Sequence, residues 1–422
     1  MNRSESAINW KAYLGILIAL LSLLTIAAIF TNLWVITAIP IGFLFGFFLK
    51  KGELCGASAI SEIILMKDKS IAFGVWVAII VSMAGFAALD LMGLVKLNPK
   101  PFIYLNYIVG GILFGIGIVL AGGCVSGCLF KAGAGNVNSM AGLVGIPLGI
   151  ALVEYGPLSE FHKYLKSFVL KSQEGGSITL SSLTGMPYWL LACLFIVITI
   201  AAVVFRQRKK ANQNGVITDD TGAVKRAITR SWKPWKAGLA IGILAMFAYL
   251  SSASSGRNYP LGVTHGVLHL QLAVTESNLN PVWKKPEMEK APFSQQKPAA
   301  EQVPLNEKTK PVSSNKGKKV SVWLMFLVTS LVIGSWVSAR LSGTMQFVPR
   351  PPSQTVIAFI GGLLLGTGAT IATGCVIGNI VSGWALMSVG NLLFGLVVIL
   401  ANWATTYFYL MGGEVSDFIS SE

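Results

Sequence analysis

The chain has 422 residues, 53% of them hydrophobic and only 12% charged, with a formal net charge of +15. Soluble domains average about 25% charged residues, so an ordinary soluble protein is excluded. The basic excess would suit a nucleic-acid partner, but it is concentrated in two polar connections between apolar blocks, without the aromatic interleaving that single-strand binders use.

A membrane span needs about 20 mostly apolar residues. The first such run, 14–39, follows Arg3 and Lys11 and superficially resembles a signal peptide. It is longer than the 7–15 apolar residues of a signal core and no A-x-A cleavage site directly follows it, so a retained helix is expected. Further runs at 71–95, 188–205, 320–339 and 391–410 qualify or come close. Between them lie shorter pieces: 40–50 and 54–66 on either side of Lys50-Lys51-Gly52-Glu53, and 237–249 and 261–273 on either side of a polar stretch containing Arg257. Pieces of 10–14 residues read as re-entrant or buried segments, tolerated only where protein or an aqueous cavity satisfies the freed backbone.

The expected architecture is an all-α integral membrane protein, an internally duplicated helical bundle with broken or re-entrant half-helices. Residues 1–36 form an N-terminal transmembrane helix and 37–205 a first membrane repeat. Residues 206–236 form a basic cytoplasmic linker, and 237–422 a second repeat carrying a disordered basic loop at 275–319. The linker holds nine Lys/Arg against Asp219 and Asp220, and 284–319 holds nine Lys against four Glu. Positive loops mark the cytoplasmic side and can touch anionic membrane lipid. If both connections are cytoplasmic, 237–273 enters and leaves on one side, as a re-entrant hairpin with its tip near Arg257. Inverted and parallel arrangements of the repeats both remain open.

The duplication is visible directly. Gly110-Gly111-ILF-Gly115-I-Gly117-IVL-Ala121-Gly122-Gly123-Cys124-VS-Gly127 recurs 251 residues later as Gly361-Gly362-LLL-Gly366-T-Gly368-ATI-Ala372-T-Gly374-Cys375-VI-Gly378. Eight Gly, Ala and Cys positions coincide without a gap. Small residues let membrane helices approach closely, and a glycine permits an abrupt break. The half-helix that starts at such a break offers unpaired N–H groups and a positive dipole end, an anion site beside which a thiol sits. Cys124 and Cys375 are therefore expected to be functional, as is Cys55 at the junction of two short apolar pieces. Cys128 and Cys193 read as packing residues. Five cysteines without CxxC spacing or clustered histidines argue against a disulfide scaffold or a zinc site. His265 and His269 share a helix face but lack a third ligand. No metal, cofactor or catalytic group is expected, and the absence of GK[ST] argues against ATP-driven transport by this chain alone.

The AGGCVSG stretch at 121–127, the Lys131-Ala-Gly-Ala-Gly-Asn136 that follows, GRNYPLGVT at 256–264 and ATGCVIGN at 372–379 resemble the YeeE/YedE family of sulfur transporters. The resemblance implies uptake of thiosulfate through the cell inner membrane, the ion being relayed non-covalently by central cysteines. On this sequence the relay maps to Cys55, Cys124 and Cys375. The path would be shaped by Gly122, Gly123, Ser126, Gly127, Lys131, Asn136, Arg257, Thr264, His265, Gly374, Gly378 and Asn379. It also implies a cytosolic TusA-like sulfur carrier protein as partner. Two departures stand out: Ala134 replaces the usual acidic residue of a GEG-like stretch, and His265 follows Thr264 where a small residue is common. A transporter of selenium or another sulfur species, and a membrane thiol oxidoreductase or sulfurtransferase using Cys124 and Cys128, are the alternatives.

Overall fold

The computed structural model describes residues 33–170, 176–210, 230–275, 279–282, 318–345 and 351–411, with Phe347 and scattered positions between 19 and 31. The helix expected over 1–36, the loop expected to be disordered over 275–319 and the middle of the 206–236 linker lie largely outside those residues. Among the described residues nine helical segments are long and apolar enough to cross a membrane, and the chain is a multi-pass, all-α membrane protein.

A 3-10 turn at Trp34–Thr37 leads into α1 (Ala38–Gly52), followed by a short α2 (Gly56–Leu65) and α3 (Ser70–Leu91). Next come α4 (Tyr104–Leu120), the short α5 (Val125–Gly133) and α6 (Val137–Glu154). Two small helices, α7 (Ser159–Lys166) and α8 (Leu180–Thr184), precede α9 (Tyr188–Lys210). The second half repeats the plan with α10 (Pro234–Ser254), the short α11 (Thr264–Thr275) and α12 (Val322–Leu341). It closes with α13 (Pro352–Ile371), a π-helical turn at Val376–Val381 leading into α14 (Ser382–Ala385), and α15 (Val389–Thr406). Short strands occur only as two pairs among the described residues: antiparallel Phe102–Ile103 with Val169–Leu170, and parallel Leu279–Val282 with Lys318–Ser321.

The halves exchange partners. Helix α1 packs on α12 while α10 packs on α3, and α13 packs on α6 while α4 packs on α15. Equivalent helices run antiparallel at the centre. The end of α1 meets the start of α10, where Trp232 N donates to Lys51 O at 2.7 Å, and its start meets the end of α10, where Thr37 hydrogen-bonds Ser251. Likewise Gly110 of α4 abuts Ala372 and Gly368, and Gly117 abuts Leu365 and Gly361. Antiparallel equivalents require a pseudo-two-fold axis perpendicular to the helices, which makes the repeats inverted. The odd helix is α9, which lies against α3 with most of its surface exposed and carries the exposed Cys193.

Glycines set the spacing of this core. A Cβ on Gly117 would lie 2.7 Å from Leu365 N, and one on Gly368 2.5 Å from Phe114 N, so α4 and α13 touch backbone to backbone. Such contact replaces the hydrophobic drive that helices lack in lipid.

Two expectations are corrected. The 237–273 block is no hairpin: α10 has 21 residues, about 30 Å of helix and enough to cross. The polar residues that shortened the apparent run are accommodated, because buried Ser251 accepts from Trp323 Nε1 at 2.8 Å and pairs with Thr37. Consequently the two basic connections leave opposite ends of the bundle. Val204, Lys233 and Trp235 cluster at one end. The strand before α12 and the end of α10 lie at the other, joined by the Trp323–Ser251 bond. The connections cannot both be cytoplasmic, because a helix of full membrane length separates them.

Candidate functional site

Three of the four helix breaks share one backbone design. Helix α4 ends as Gly122 adopts φ +65°, with Gly123 N donating to Ile118 O at 3.1 Å and Gly122 N to Val119 O at 3.2 Å. This six-to-one closure satisfies carbonyls that the helix end would leave bare. Helix α13 ends identically at Thr373, φ +57°, with Gly374 N donating to Ala369 O at 2.7 Å. So does α1 at Glu53, φ 48°, with Leu54 N donating to Leu49 O at 3.0 Å. In each case the residue two positions after the left-handed one is a cysteine, extended and serving as N-cap of the next helical piece: Cys55, Cys124 and Cys375. All three are buried. The fourth break follows α10, where Gly256 takes the left-handed turn. A longer loop then runs to Thr264, and no thiol is supplied.

Cys55 and Cys124 form a pair. Their side chains adjoin, and a Cβ on Gly127 would lie 2.6 Å from Cys55 Sγ and 3.5 Å from Cys124 Sγ. Gly127 thus leaves the room in which the two thiols meet. Ser126 Oγ stands 3.3 Å from Cys124 Sγ. Cys128 Sγ instead donates to Gly123 O at 3.6 Å, a bond that dresses the break.

Cys375 faces a partly enclosed cavity of about 250 Å³, lined also by Lys100, Arg257, Thr264, His265 and Gly378. Gly378 keeps it open: the nearest atom to a Cβ there would be Gly262 Cα at 4.0 Å. Lys100 Nζ donates to Thr373 O and, at 2.7 Å, to Asn379 Oδ1, and stands 4.9 Å from the Tyr259 ring centroid. Asn379 Nδ2 donates to Ala372 O at 2.9 Å and Gly374 O at 3.0 Å, holding the broken backbone. Gly374 permits this crowding, since a Cβ there would be 2.6 Å from Asn379 Oδ1. Arg257 donates to Pro260 O at 2.8 Å and lies between the Tyr259 and Trp323 rings. Removal from water, with Arg257 adding repulsion, pulls the Lys100 ammonium down to about 7. Burial, reinforced by Lys100, pulls His265 down to about 3, so its imidazole is neutral at neutral pH.

The remaining sequence-derived candidates fall as follows. Lys131 Nζ donates to Gly122 O at 2.7 Å, so Gly122 and Thr373, equivalent in the repeat, each give their carbonyl to a lysine. The lysines themselves are not equivalent in sequence. Asn136 caps α6, accepting from Ser139 N at 3.1 Å. His269 Nδ1 accepts from Ser321 N at 3.2 Å, and no group of three or more metal-ligand side chains occurs among the described residues. Lys100 escaped the sequence reading. Its one local signal is a lysine fixed between Pro99 and Pro101 in the connection between two apolar runs.

The family described as "Sulphur transport" matches residues 51–404. A thiosulfate transporter TsuA of Spirochaeta thermophila is 27% identical over 386 residues, covering 88% of this chain and 98% of the relative. The Escherichia coli thiosulfate transporter TsuA is 24% identical over 374 residues, covering 88% and 94%. The probable transporter YedE of Escherichia coli is 32% identical over 114 residues, about a quarter of either chain (26% and 27%).

Proposed function

The chain belongs to the sulphur transport family, and from that premise we propose that it takes up thiosulfate, or a closely related sulfur oxyanion, across the cytoplasmic (inner) membrane. The ion passes non-covalently between the Cys55–Cys124 pair and Cys375. One observation carries the reading: three buried thiols stand at the same N-cap position of three broken helices. At two of these breaks a lysine ammonium is tied to the break carbonyl.

A dianion in a low-dielectric interior is very costly without replacements for its water. Half-helix N-termini supply dipoles, Lys100 and Lys131 supply charge already partly engaged with backbone, and thiols supply weak S–H donors matched to a soft terminal sulfur. Each site is weak by design, which conduction requires, since an ion held tightly would not leave. A TusA-like sulfur carrier on the cytosolic side would draw the ion off and make entry one-way.

Growth of a bacterium deprived of its other sulfur importers, on thiosulfate as sole sulfur source, tests the substrate; the gene should restore growth. Cys124→Ser and Cys375→Ser should each cut thiosulfate uptake with expression intact. Wild-type uptake in the double serine variant would refute the relay.

A further inference from the structure

The Cys375 cavity differs from the Cys55–Cys124 site in one respect that bears on recognition. Where the first half places a second thiol, the inverted repeat places the start of α11, and the first residue there is Thr264. Thr264 is 3% exposed, lines the cavity, and its Oγ1 has no hydrogen-bond partner. A buried hydroxyl without a partner is costly, and a ligand that accepts from it removes that cost. The same cavity is lined by Lys100, whose ammonium has three donors, two of them engaged by Thr373 O and Asn379 Oδ1. One donor therefore remains for a ligand. The cavity thus offers a soft thiol together with a hydroxyl and an ammonium, both hard oxygen-seeking donors.

Resting on the uptake function proposed above, we propose that Thr264 Oγ1 and Lys100 Nζ bind the sulfonyl oxygens of the ion while its sulfane sulfur lies on Cys375. The Cys375 cavity is then a site that reads both ends of a thiosulfonate-type anion, whereas the Cys55–Cys124 pair reads its sulfur end. Thr264 is the specificity-determining residue of this arrangement, because it contributes an oxygen-directed donor with no structural bond to sacrifice.

Thiosulfate uptake into proteoliposomes holding the full chain separates this role from packing. Thr264→Val keeps the shape and removes the hydroxyl; Thr264→Ser keeps the hydroxyl and removes a methyl group. The expected result is a KM raised about 3- to 10-fold in Thr264→Val, the loss of one neutral hydrogen bond, with kcat within about twofold and Thr264→Ser close to wild type. Lys100→Met should raise KM further, by about 10-fold or more, as a charged donor is lost. A wild-type KM in Thr264→Val, or equal loss in the Val and Ser variants, would overturn the assignment and leave the uptake function standing. A wild-type protein that takes up no thiosulfate would sink both.

Discussion

Val376 fills the space that a side chain on Gly56 would occupy: a Cβ there would lie 2.6 Å from Val376 Cγ1. The residues that follow Cys55 and Cys375 are therefore in contact across the two halves. Val376, 2% exposed, thus packs beside the paired thiols while directly following Cys375, which lines the cavity. Hydrophobic constrictions are a recurrent gating device, and the prediction is that Val376 acts as one. Gly56→Ala should push Val376 into the path. Uptake should fall about tenfold, the equivalent of about 1.4 kcal/mol in barrier, and Gly56→Ala with Val376→Ala should recover most of it. Transport assays on the two singles and the double check this; a double variant no better than Gly56→Ala would dismiss the contact as a constraint.

The second prediction concerns pH. The Lys100 ammonium, ordinarily protonated far above neutrality, is drawn down to about 7 by its removal from water. An arriving anion favours the charged form, so binding takes up a proton in the window around and above pH 7. The KM for thiosulfate should therefore rise as pH increases from about 6 to 9. Arginine stays charged throughout, so Lys100→Arg should flatten the profile whatever its absolute uptake. An unchanged slope in that variant would assign the titration to another group.

Ser251 joins the ends of three elements, accepting from Trp323 Nε1 and pairing with Thr37. Ser251→Ala would leave the indole N–H of Trp323, 1% exposed, without its acceptor. The cost should be about 1–3 kcal/mol, read as a lowered thermal midpoint in detergent. Thr37→Val, which spares the Trp323 bond, should cost less.

Topology can be tested from exposed sites at either end. Lys67 lies in the turn between α2 and α3, and Lys163 on α7. Alternate crossing by α3, α4 and α6 places them on opposite membrane faces. In a background lacking exposed Cys193, Lys67→Cys and Lys163→Cys should react differently with an impermeant maleimide on intact cells, one labelled and the other protected until lysis. Equal labelling would contradict the three crossings by α3, α4 and α6.

The sequence by itself determined that this is a duplicated, glycine-ruled membrane bundle whose repeats each contain a Gly-Cys break. Apolar run length and exact repetition of Gly, Ala and Cys positions are local properties that need no partner to be read. It also pointed to Arg257, Thr264 and His265, which the fold brings to the wall of one cavity with Cys375. It could not give the length of α10, because Ser251 and Ser252 look like a polar interruption until Trp323 and Thr37 are seen to satisfy Ser251. Without that length, the two basic connections could not be assigned to opposite ends of the bundle.

Only the tertiary structure decided that the halves are inverted, that Cys55 meets Cys124, and that Lys100 serves the break at Thr373. These relations join residues from separate segments of the chain, 273 positions apart in the last case. They arise because a pseudo-two-fold axis lays each half's broken helices against the other's, an arrangement set by packing between helices rather than by any local pattern along the chain.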